Sequence, residues 1–391
     1  MKILLCHNYY RSPGGEDQSF DAQRRLLEHH GHQVLLYTRH NNEMDAMRDI
    51  DVAWRTVWNP RTYREVAALV RRERPQLMHC TNTFPLISAA AYAAARRHGA
   101  AVVQGLHNYR LACVQGGFLR GHEVCEDCAA RSLPWPAVKY ACYRNSRAAT
   151  AVAAAALVTH RVARTWTRMV DAFMAPSELV RRKLATVGLP VERIHVVPNF
   201  LAGDPGAGAG GGGYAVFAGR LATEKGIDTL LRAWASLTEP MKLKIAGDGP
   251  LAETVRRAAA ADGRIEWLGW RSPQDVLQLI GGAECLVLPS TFQEPFGRVV
   301  IEAYAKGTPV IGSRRGAIAD LVDDGVTGYL FEPDNSTDLI KKLRLLMADA
   351  QRHAELRRAS RRRFEERYVG DRCYDGVMEL YSGALSHRQA Q

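Results

Sequence analysis

A strand, a turn and a helix start follow one another in Cys285-Leu-Val-Leu-Pro-Ser290 and in the nearby Glu294-Pro-Phe-Gly-Arg-Val-Val-Ile-Glu302. The first stretch is a short apolar run ended by Pro-Ser, as in a buried strand. The second continues from a glycine turn into an apolar segment that Gly307 ends, which predicts a helix. The turn at Phe296-Gly297 is expected to present free backbone N–H groups beside two carboxylates.

The same alternation of short apolar strands and longer Ala-, Leu- and Arg-rich segments runs along the whole chain. This pattern indicates parallel βαβ units and an α/β fold. In the first half the predicted strands are Lys2–Asn8, Gln33–Thr38, Leu77–Thr81, Ala101–His107, Ala172–Pro176 and His195–Pro198. In the second half they are Tyr214–Gly219, Leu243–Gly247, Ile265–Gly269, Cys285–Pro289, Pro309–Gly312 and Gly328–Phe331.

A glycine-rich stretch at 201–213 separates the two sets of strands and has almost no side chains to bury, which predicts a flexible linker. We therefore expect two Rossmann-like, doubly wound domains at 1–200 and 214–370, with a last helix at 371–391 that packs back on the N-terminal domain. Such domains bind ligands at the carboxyl ends of their strands, so the predicted site lies in a cleft between them. The stretch also matches G-x-G-x-x-G at Gly206, Gly208 and Gly211, but no strand leads into it, so we do not interpret it as a nucleotide-binding loop.

Composition is typical of a globular protein, with 391 residues of which 47% are hydrophobic and 24% charged. The N-terminus reads as a first strand and not as a signal peptide, and the apolar stretch 148–158 is too short to span a bilayer, so we expect a cytoplasmic protein. A net charge of +11 favours anionic partners: a nucleotide, a phosphorylated acceptor, an acidic membrane surface or nucleic acid. No nucleic-acid-binding motif accompanies the arginine clusters.

Two cations leave the carboxyl end of a predicted strand at Arg220 and Lys225, where a helix begins. An arginine fork, a compact ammonium group and a helix N-terminus can together hold a diphosphate. Unrelated surface cations are the simpler alternative. The turn Gly247-Asp248-Gly249-Pro250 ends another strand of the same domain and lets a ligand approach the backbone closely. Carboxylates such as Glu294 and Glu302 accept hydrogen bonds from vicinal hydroxyls, as on a sugar or a ribose.

These motifs together resemble the retaining glycosyltransferases of family 4, which have the GT-B fold. The resemblance covers most of the chain and is most specific from Tyr214 to Glu332. It rests on Glu-x7-Glu at 294 and 302, Gly219-Arg220 with Glu224-Lys225-Gly226, Gly247 to Pro250, Pro289-Ser290, Gly14-Gly15-Glu16, and a histidine after a strand at 107.

The resemblance implies a role for each matching residue. Arg220 and Lys225 would bind the donor diphosphate, with Gly219, Gly247, Asp248, Gly249 and Ser290 contributing to the donor site. Glu294 and the backbone of Phe296 and Gly297 would bind the transferred sugar, and Glu302 the ribose. Gly14 and Gly15 would let the N-terminal loop close over the phosphates, and His107 would lie near the anomeric carbon. Many relatives have Asp after this histidine, whereas this chain has Asn108.

Transfer in this family is thought to proceed on one face of the sugar without a protein nucleophile. The acceptor hydroxyl attacks while the nucleoside diphosphate leaves, so fixed positive charge near the phosphates provides the main stabilisation. Because Arg220, Lys225 and a helix terminus supply that charge, and no Asp-x-Asp motif is present, we expect no catalytic metal and no cofactor.

Four of the eight cysteines, Cys113, Cys125, Cys128 and Cys142, fall in one segment with the spacing C-x11-C-x2-C-x13-C. A structural zinc site is one interpretation of this Cys-rich insertion at 113–142. Unliganded packing thiols and redox or disulfide use are the alternatives.

An aromatic and basic stretch, Trp135 to Arg144, follows in the domain expected to bind the acceptor. It can rest on an acidic membrane surface, line the acceptor pocket or cover the cysteine cluster. The sequence thus predicts transfer from a UDP- or GDP-sugar to a hydroxyl acceptor, in polysaccharide, lipid-linked oligosaccharide or natural-product assembly. The alternatives are a nucleotide-sugar epimerase or hydrolase of the same fold, and a non-catalytic nucleotide or nucleic-acid binder.

Overall fold

The computed structural model describes residues 1–12, 14–121, 123–129 and 131–390. The strands are β1 Lys2–Tyr9, β2 Gln33–His40, β3 Leu77–Asn82, β4 Ala101–Gly105, β5 Leu119–Arg120, β6 Glu123–Val124, β7 Ala172–Ala175, β8 Ile194–Val196, β9 Tyr214–Ala218, β10 Lys242–Ala246, β11 Ile265–Gly269, β12 Cys285–Leu288, β13 Val310–Ser313 and β14 Gly328–Phe331. The helices are α1 Gly15–His29, α2 Asp49–Val57, α3 Pro60–Glu73, α4 Ala90–Arg97, α5 Trp135–Lys139, α6 Arg147–Val162, α7 Thr165–Met169, α8 Glu178–Ala185, α9 Ile227–Ser236, α10 Ala252–Ala261, α11 Pro273–Gly282, α12 Arg298–Ala305, α13 Ile318–Leu321, α14 Ser336–Met347, α15 Ala350–Arg367 and α16 Gly370–Gln389.

Two parallel six-stranded sheets are the frame of the α/β fold, with the orders β2-β1-β3-β4-β7-β8 and β11-β10-β9-β12-β13-β14. Each of the twelve predicted strands is confirmed to within two residues at either end. A short antiparallel pair, β5–β6, lies outside these two sheets. The match is close because strands covered on both faces read as continuous apolar runs, which are the clearest strand signal in a sequence.

The chain divides into two compact units. The first contains Met1–Phe118, Cys125–Ala202 and Cys373–Gln391, and the second contains Leu119–Val124 and Gly203–Arg372. Most of α16 thus belongs to the first unit, where Tyr381 is fully buried and packs in one apolar cluster with Leu27, Leu77 and Ala101.

In the second unit, strands β9 and β12 are buried along their whole length and form the middle of the sheet. Helix α9 covers this region with the fully buried Trp234, whose indole N–H donates to the carbonyl of Met241 at 3.1 Å. The rigid centre of the sheet therefore fixes the loops that leave the carboxyl ends of β9 and β12.

The glycine-rich stretch at 201–213 is an ordered strap and not the predicted flexible linker. The amides of Gly208, Gly210 and Gly212 donate to the carbonyls of Lys306, Gly281 and Gly282 at 2.9, 2.9 and 3.0 Å. A Cβ added at Gly208 would lie 2.2 Å from the carbonyl oxygen of Gly281. The glycines serve here to let two backbones approach each other, so low side-chain content marks close packing in this stretch and not mobility.

Candidate functional site

The order of the second sheet places a topological switch point between β9 and β12. The chain runs from β9 outwards through β10 to β11 and then returns to β12 on the other side of β9. In open α/β sheets ligands bind in the crevice formed where the strand order reverses, outside the carboxyl ends of the strands. Arg220 and Lys225 follow β9, while Ser290, Glu294 and Gly297 follow β12.

Lys225 and Glu294 meet across this switch point. The Lys225 Nζ forms an ion pair with Glu294 Oε1, and the same carboxylate oxygen accepts a hydrogen bond from Ser290 Oγ at 2.9 Å. Glu294 is buried and Ser290 fully so, whereas the Lys225 side chain is about a quarter exposed. The Lys225 ammonium also lies 4.9 Å from the ring centroid of Phe292. The residue predicted to bind a phosphate, Lys225, and the residue predicted to bind the sugar, Glu294, are thus in direct contact.

Glycines allow the loops after β9 and β10 to interlock. A Cβ at Gly247 would lie 1.9 Å from the carbonyl oxygen of Gly219, and one at Gly249 would lie 2.6 Å from that of Leu221. The amide of Leu221 donates to the carbonyl of Asp248 at 2.9 Å. Arg220 is held between these contacts, and its exposed side chain forms no ion pair or hydrogen bond with another described residue. Its guanidinium is therefore available to an anionic ligand.

The loop after β13 supports Glu294, although no motif in the sequence assigns this loop to the site. Ser313 Oγ donates to the carbonyl of Ser290 at 2.6 Å, and Arg315 donates to that of Thr291 at 2.6 Å. A Cβ at Gly316, where φ is +65°, would lie 2.4 Å from the amide nitrogen of Glu294. The turn signal in Gly312-Ser-Arg-Arg-Gly316 is visible in the sequence, but its contact with a loop twenty residues earlier is not.

Helix α12 begins at Arg298 and is preceded by the N-cap Gly297, which has a left-handed conformation with φ +92°. The first amides of a helix have no carbonyl partner within it, so this end can donate to an anion or a hydroxyl. The Phe296 side chain is buried, and its ring lies 6.2 Å from that of Tyr368. Glu302 lies one turn after Arg298, whose Nε is 3.3 Å from Glu302 Oε1. Burial raises the pKa of the Glu302 carboxyl, and the charge of Arg298 opposes that rise.

Predicted residues of the first unit lie after β1 and β4. His107 follows β4 and folds back on the backbone, because a Cβ at Gly105 would lie 2.8 Å from its Nε2 atom. It lines a small cavity together with Ser19 and Gln23. Gly14 precedes α1 and Gly15 is its first residue. A Cβ at Gly14 would meet nothing within 4 Å, so packing does not require a glycine at this position.

The predicted zinc site at Cys113, Cys125, Cys128 and Cys142 is not formed. None of the four is joined in a disulfide bond, and within residues 1–12, 14–121, 123–129 and 131–390 no three His, Cys, Asp or Glu side chains are placed to hold a metal ion. Cys128 packs instead in an apolar cluster beside Ala137, and burial raises the pKa of its thiol. The packing of Cys128 among apolar side chains is what the packing-thiol alternative predicts.

Fold and site together define a two-unit α/β protein with paired charges at a sheet switch point, as in enzymes that bind nucleotide-containing ligands. Two family models match consecutive parts of the chain: Glycosyltransferase Family 4 over residues 13–202 and Glycosyl transferases group 1 over residues 208–363. The chain belongs to the GT4-like glycosyltransferases of the GT-B fold.

Named relatives agree with this assignment. The lipopolysaccharide 1,2-N-acetylglucosaminetransferase of Salmonella typhimurium is 34% identical over 152 residues, which cover 35% of this chain and 40% of the relative. The D-inositol 3-phosphate glycosyltransferase of Nocardia farcinica is 30% identical over 237 residues, or 54% of this chain and 51% of the relative. The chain thus spans about half or less of the length of these two relatives. The crystal structure of Anabaena HepE in complex with UDP and glucose has the same fold, with a TM-score of 0.70, 18% identity and coverage of 98% of this chain and 99% of HepE.

Proposed function

We propose that this protein is a retaining glycosyltransferase that moves a sugar from a UDP- or GDP-sugar to a hydroxyl acceptor. The observation that carries the proposal is the contact between Lys225 and Glu294 at the switch point of the second sheet. A ligand that places a phosphate beside Lys225 and a sugar hydroxyl beside Glu294 would satisfy both groups. A nucleoside diphosphate sugar has this combination of charges and hydroxyls.

The donor is bound by charge on one side and by hydroxyl contacts on the other. Arg220 and Lys225 hold the diphosphate, and their positive charge stabilises it as it leaves. Glu294 and the first amides of α12 hold the transferred sugar, and Glu302 accepts from the ribose hydroxyls. His107 lies near the anomeric carbon in this proposal, and no residue acts as a covalent nucleophile.

UDP-glucose is the first donor to test, because a HepE structure contains it. We propose an acceptor in polysaccharide, lipid-linked oligosaccharide or natural-product glycoside assembly. The named relatives act on different acceptors, so we propose a broader range of acceptors than of donors.

Peripheral contact with an acidic membrane is part of the proposal. No helix in the described part of the chain is both long and apolar enough to cross a membrane. Around α5, however, Leu133, Trp135 and Tyr140 are 60%, 55% and 51% exposed. The Lys139 ammonium lies 5.6 Å from the Trp135 ring and 5.2 Å from the Tyr140 ring. Exposed aromatic rings beside a cation suit the interface of an anionic bilayer.

Thermal unfolding with UDP-, GDP- and ADP-sugars tests the donor, because a bound ligand raises the unfolding temperature by mass action. We expect stabilisation by one nucleotide series, and transfer of labelled sugar when hydroxyl acceptors are added. Product retaining the anomeric configuration would support the mechanism, and an inverted product would contradict it. Sugar release or epimerisation without transfer to any acceptor would favour the epimerase or hydrolase alternative. Salt-dependent RNA binding without sugar-nucleotide binding would favour a nucleic-acid binder.

A further inference from the structure

Two serine side chains form a chain of hydrogen bonds behind Glu294 in the second unit. Ser313 Oγ donates to the carbonyl oxygen of Ser290 at 2.6 Å, and Ser290 Oγ donates to Glu294 Oε1 at 2.9 Å. Both serines are 0% exposed, so a ligand cannot reach either hydroxyl. Any effect of these hydroxyls on a ligand must therefore pass through Glu294.

This chain of hydrogen bonds continues the sheet beyond its last strand pair. The pairing of β12 with β13 ends at Leu288, so the carbonyl groups of Ser290 and Thr291 lie past the ladder. A buried carbonyl without a donor is costly. Ser313 Oγ supplies the first donor, and Arg315 Nη1 supplies the second at 2.6 Å from the Thr291 oxygen. Two successive peptide groups are thereby fixed, and with them the direction of the Ser290 side chain.

The same loop also holds the main chain of Glu294, whose carbonyl accepts from the amide of Ala317 at 2.9 Å. On the side chain, Oε1 receives both the Ser290 hydroxyl and the Lys225 ammonium. The other oxygen, Oε2, accepts no hydrogen bond from another described residue, and 7% of the Glu294 side chain is exposed. Because a carboxylate oxygen accepts from sugar hydroxyls, Oε2 is the atom left for a ligand.

We propose that Ser313 and Ser290 are positioning residues for sugar transfer, which hold Glu294 Oε1 so that Oε2 faces the hydroxyls of the donor sugar. This inference rests on the proposed function, and it adds two residues that act without touching the ligand. Lys225 cannot hold the carboxylate alone, because its flexible, partly exposed side chain is also attracted to the donor phosphates. The enclosed Ser290 hydroxyl keeps Glu294 in place when the ammonium turns towards a phosphate.

Ser360 provides a matched control in the same unit. Its Oγ donates to the carbonyl of Thr327 at 3.1 Å, and Ser360 is also 0% exposed. Thr327 directly precedes β14, so this hydrogen bond lies at the amino end of the parallel strands, opposite to the loops that follow β12 and β13. Ser313→Ala and Ser360→Ala therefore remove the same kind of buried hydrogen bond, and only the first one is connected to Glu294.

The test compares the affinity of the full chain for a sugar nucleotide with its affinity for the corresponding nucleoside diphosphate. The probe is whichever of UDP-glucose, UDP-N-acetylglucosamine and GDP-mannose stabilises the wild type most, paired with UDP or GDP. Calorimetry gives both dissociation constants, and their ratio separates the contribution of the sugar from that of the nucleotide. The unfolding temperature shows that each variant is folded. The variants are Ser313→Ala, Ser313→Thr, Ser290→Ala, Ser360→Ala and Glu294→Ala.

We expect the ratio to shift against the sugar nucleotide by about five-fold or more in Ser313→Ala and Ser290→Ala, because a displaced Glu294 loses its hydrogen bond to the sugar. Glu294→Ala sets the largest shift that can occur. Ser313→Thr keeps the hydroxyl and should therefore keep the wild-type ratio. Ser360→Ala should also keep that ratio, although it should lower the unfolding temperature about as much as Ser313→Ala does.

An unchanged ratio in Ser313→Ala or Ser290→Ala, together with a shifted ratio in Glu294→Ala, would overturn the inference and leave the proposed function standing. An equal shift in Ser360→Ala would also overturn it, because loss of stability would then be a sufficient cause, and so would an equal shift in Ser313→Thr. An unchanged ratio in Glu294→Ala, or a wild type that binds neither UDP nor GDP, would overturn the proposed donor site and this inference with it.

Discussion

Gly226 lies against the carbonyl of Pro289, so closely that a Cβ on the glycine would be 1.9 Å from the carbonyl oxygen. Gly226 also has φ +71°, a left-handed conformation that other residues rarely adopt. This contact joins the loop after β9 to the end of β12. It therefore places Lys225 beside Glu294, although the two residues are 69 positions apart in the sequence.

Gly226→Ala is expected to destabilise the protein by about 2–4 kcal/mol, because the added methyl group forces two backbones apart and strains φ. Donor binding should weaken as well, since Lys225 is displaced. Gly263→Ala is the matched control: a Cβ at Gly263 meets nothing within 4 Å, and its φ is not positive. Denaturant unfolding of both variants measures the difference. Equal stability of the two variants would contradict the close packing.

Lys225→Ala and Glu294→Ala are expected to lower the rate of sugar transfer by about 100-fold or more, because fixed charge at the leaving group stabilises the transition state. The fold should remain intact in both variants, since neither side chain belongs to the apolar core. Lys242→Ala, at an exposed position of the same unit, is the control. Initial rates with a labelled donor provide the measurement. Near-normal turnover in both variants would refute the site assignment.

Slowly and quickly exchanging amides should alternate along the glycine strap, residues 201–213. The amides of Gly208, Gly210 and Gly212 donate to backbone carbonyls and should exchange slowly. Those of Ala207, Ala209 and Gly211 donate to no backbone carbonyl among the described residues and should exchange quickly. Residue-resolved exchange by NMR distinguishes this pattern from a flexible linker, in which all these amides would exchange quickly.

A substitution on the strap provides an independent check of the same contact. Gly208→Ala should lower the unfolding temperature, because the added Cβ would lie 2.2 Å from the carbonyl oxygen of Gly281. Gly203→Ala should leave it nearly unchanged, since a Cβ there meets nothing within 4 Å. Similar unfolding temperatures for the two variants would argue against an ordered strap.

His79 should make stability depend on pH. Burial lowers the pKa of His79 from 6.5 to about 3, and the nearby His107 contributes to the shift. The unfolded chain therefore binds the proton between pH 6.5 and about 3 while the folded protein does not, so stability falls as the pH is lowered through this window. The expected slope from this residue is about 1.4 kcal/mol per pH unit once the pH is well below 6.5.

His79→Asn should reduce that slope between pH 6.5 and 5, because asparagine does not titrate and can keep the hydrogen bond that His79 Nδ1 makes with Tyr381 Oη at 2.8 Å. His98→Asn, at a partly exposed position, serves as the control. Urea unfolding at several pH values gives the slopes. An unchanged slope in His79→Asn would contradict a buried, neutral His79.

The sequence by itself determined the strands, the α/β class and the resemblance to family 4. Buried parallel strands are apolar throughout and end in Gly, Ser or Asn, so they can be recognised in the sequence without knowing which strands they pair with. Lys225, Glu294 and Ser290 could be picked out because each follows such a strand. The contacts of Ser313, Arg315 and Gly316 with the Glu294 loop could not, because they depend on which strands are neighbours in the sheet.

Only the tertiary structure decided whether the glycine strap is ordered and how the four clustered cysteines are placed. Low side-chain content fits a flexible linker and a closely packed backbone equally well, and only the carbonyls of Gly281 and Gly282 distinguish the two. Likewise, the spacing from Cys113 to Cys142 does not fix the directions of the thiols. Local sequence determines local structure, whereas convergence of side chains from distant segments is set by packing.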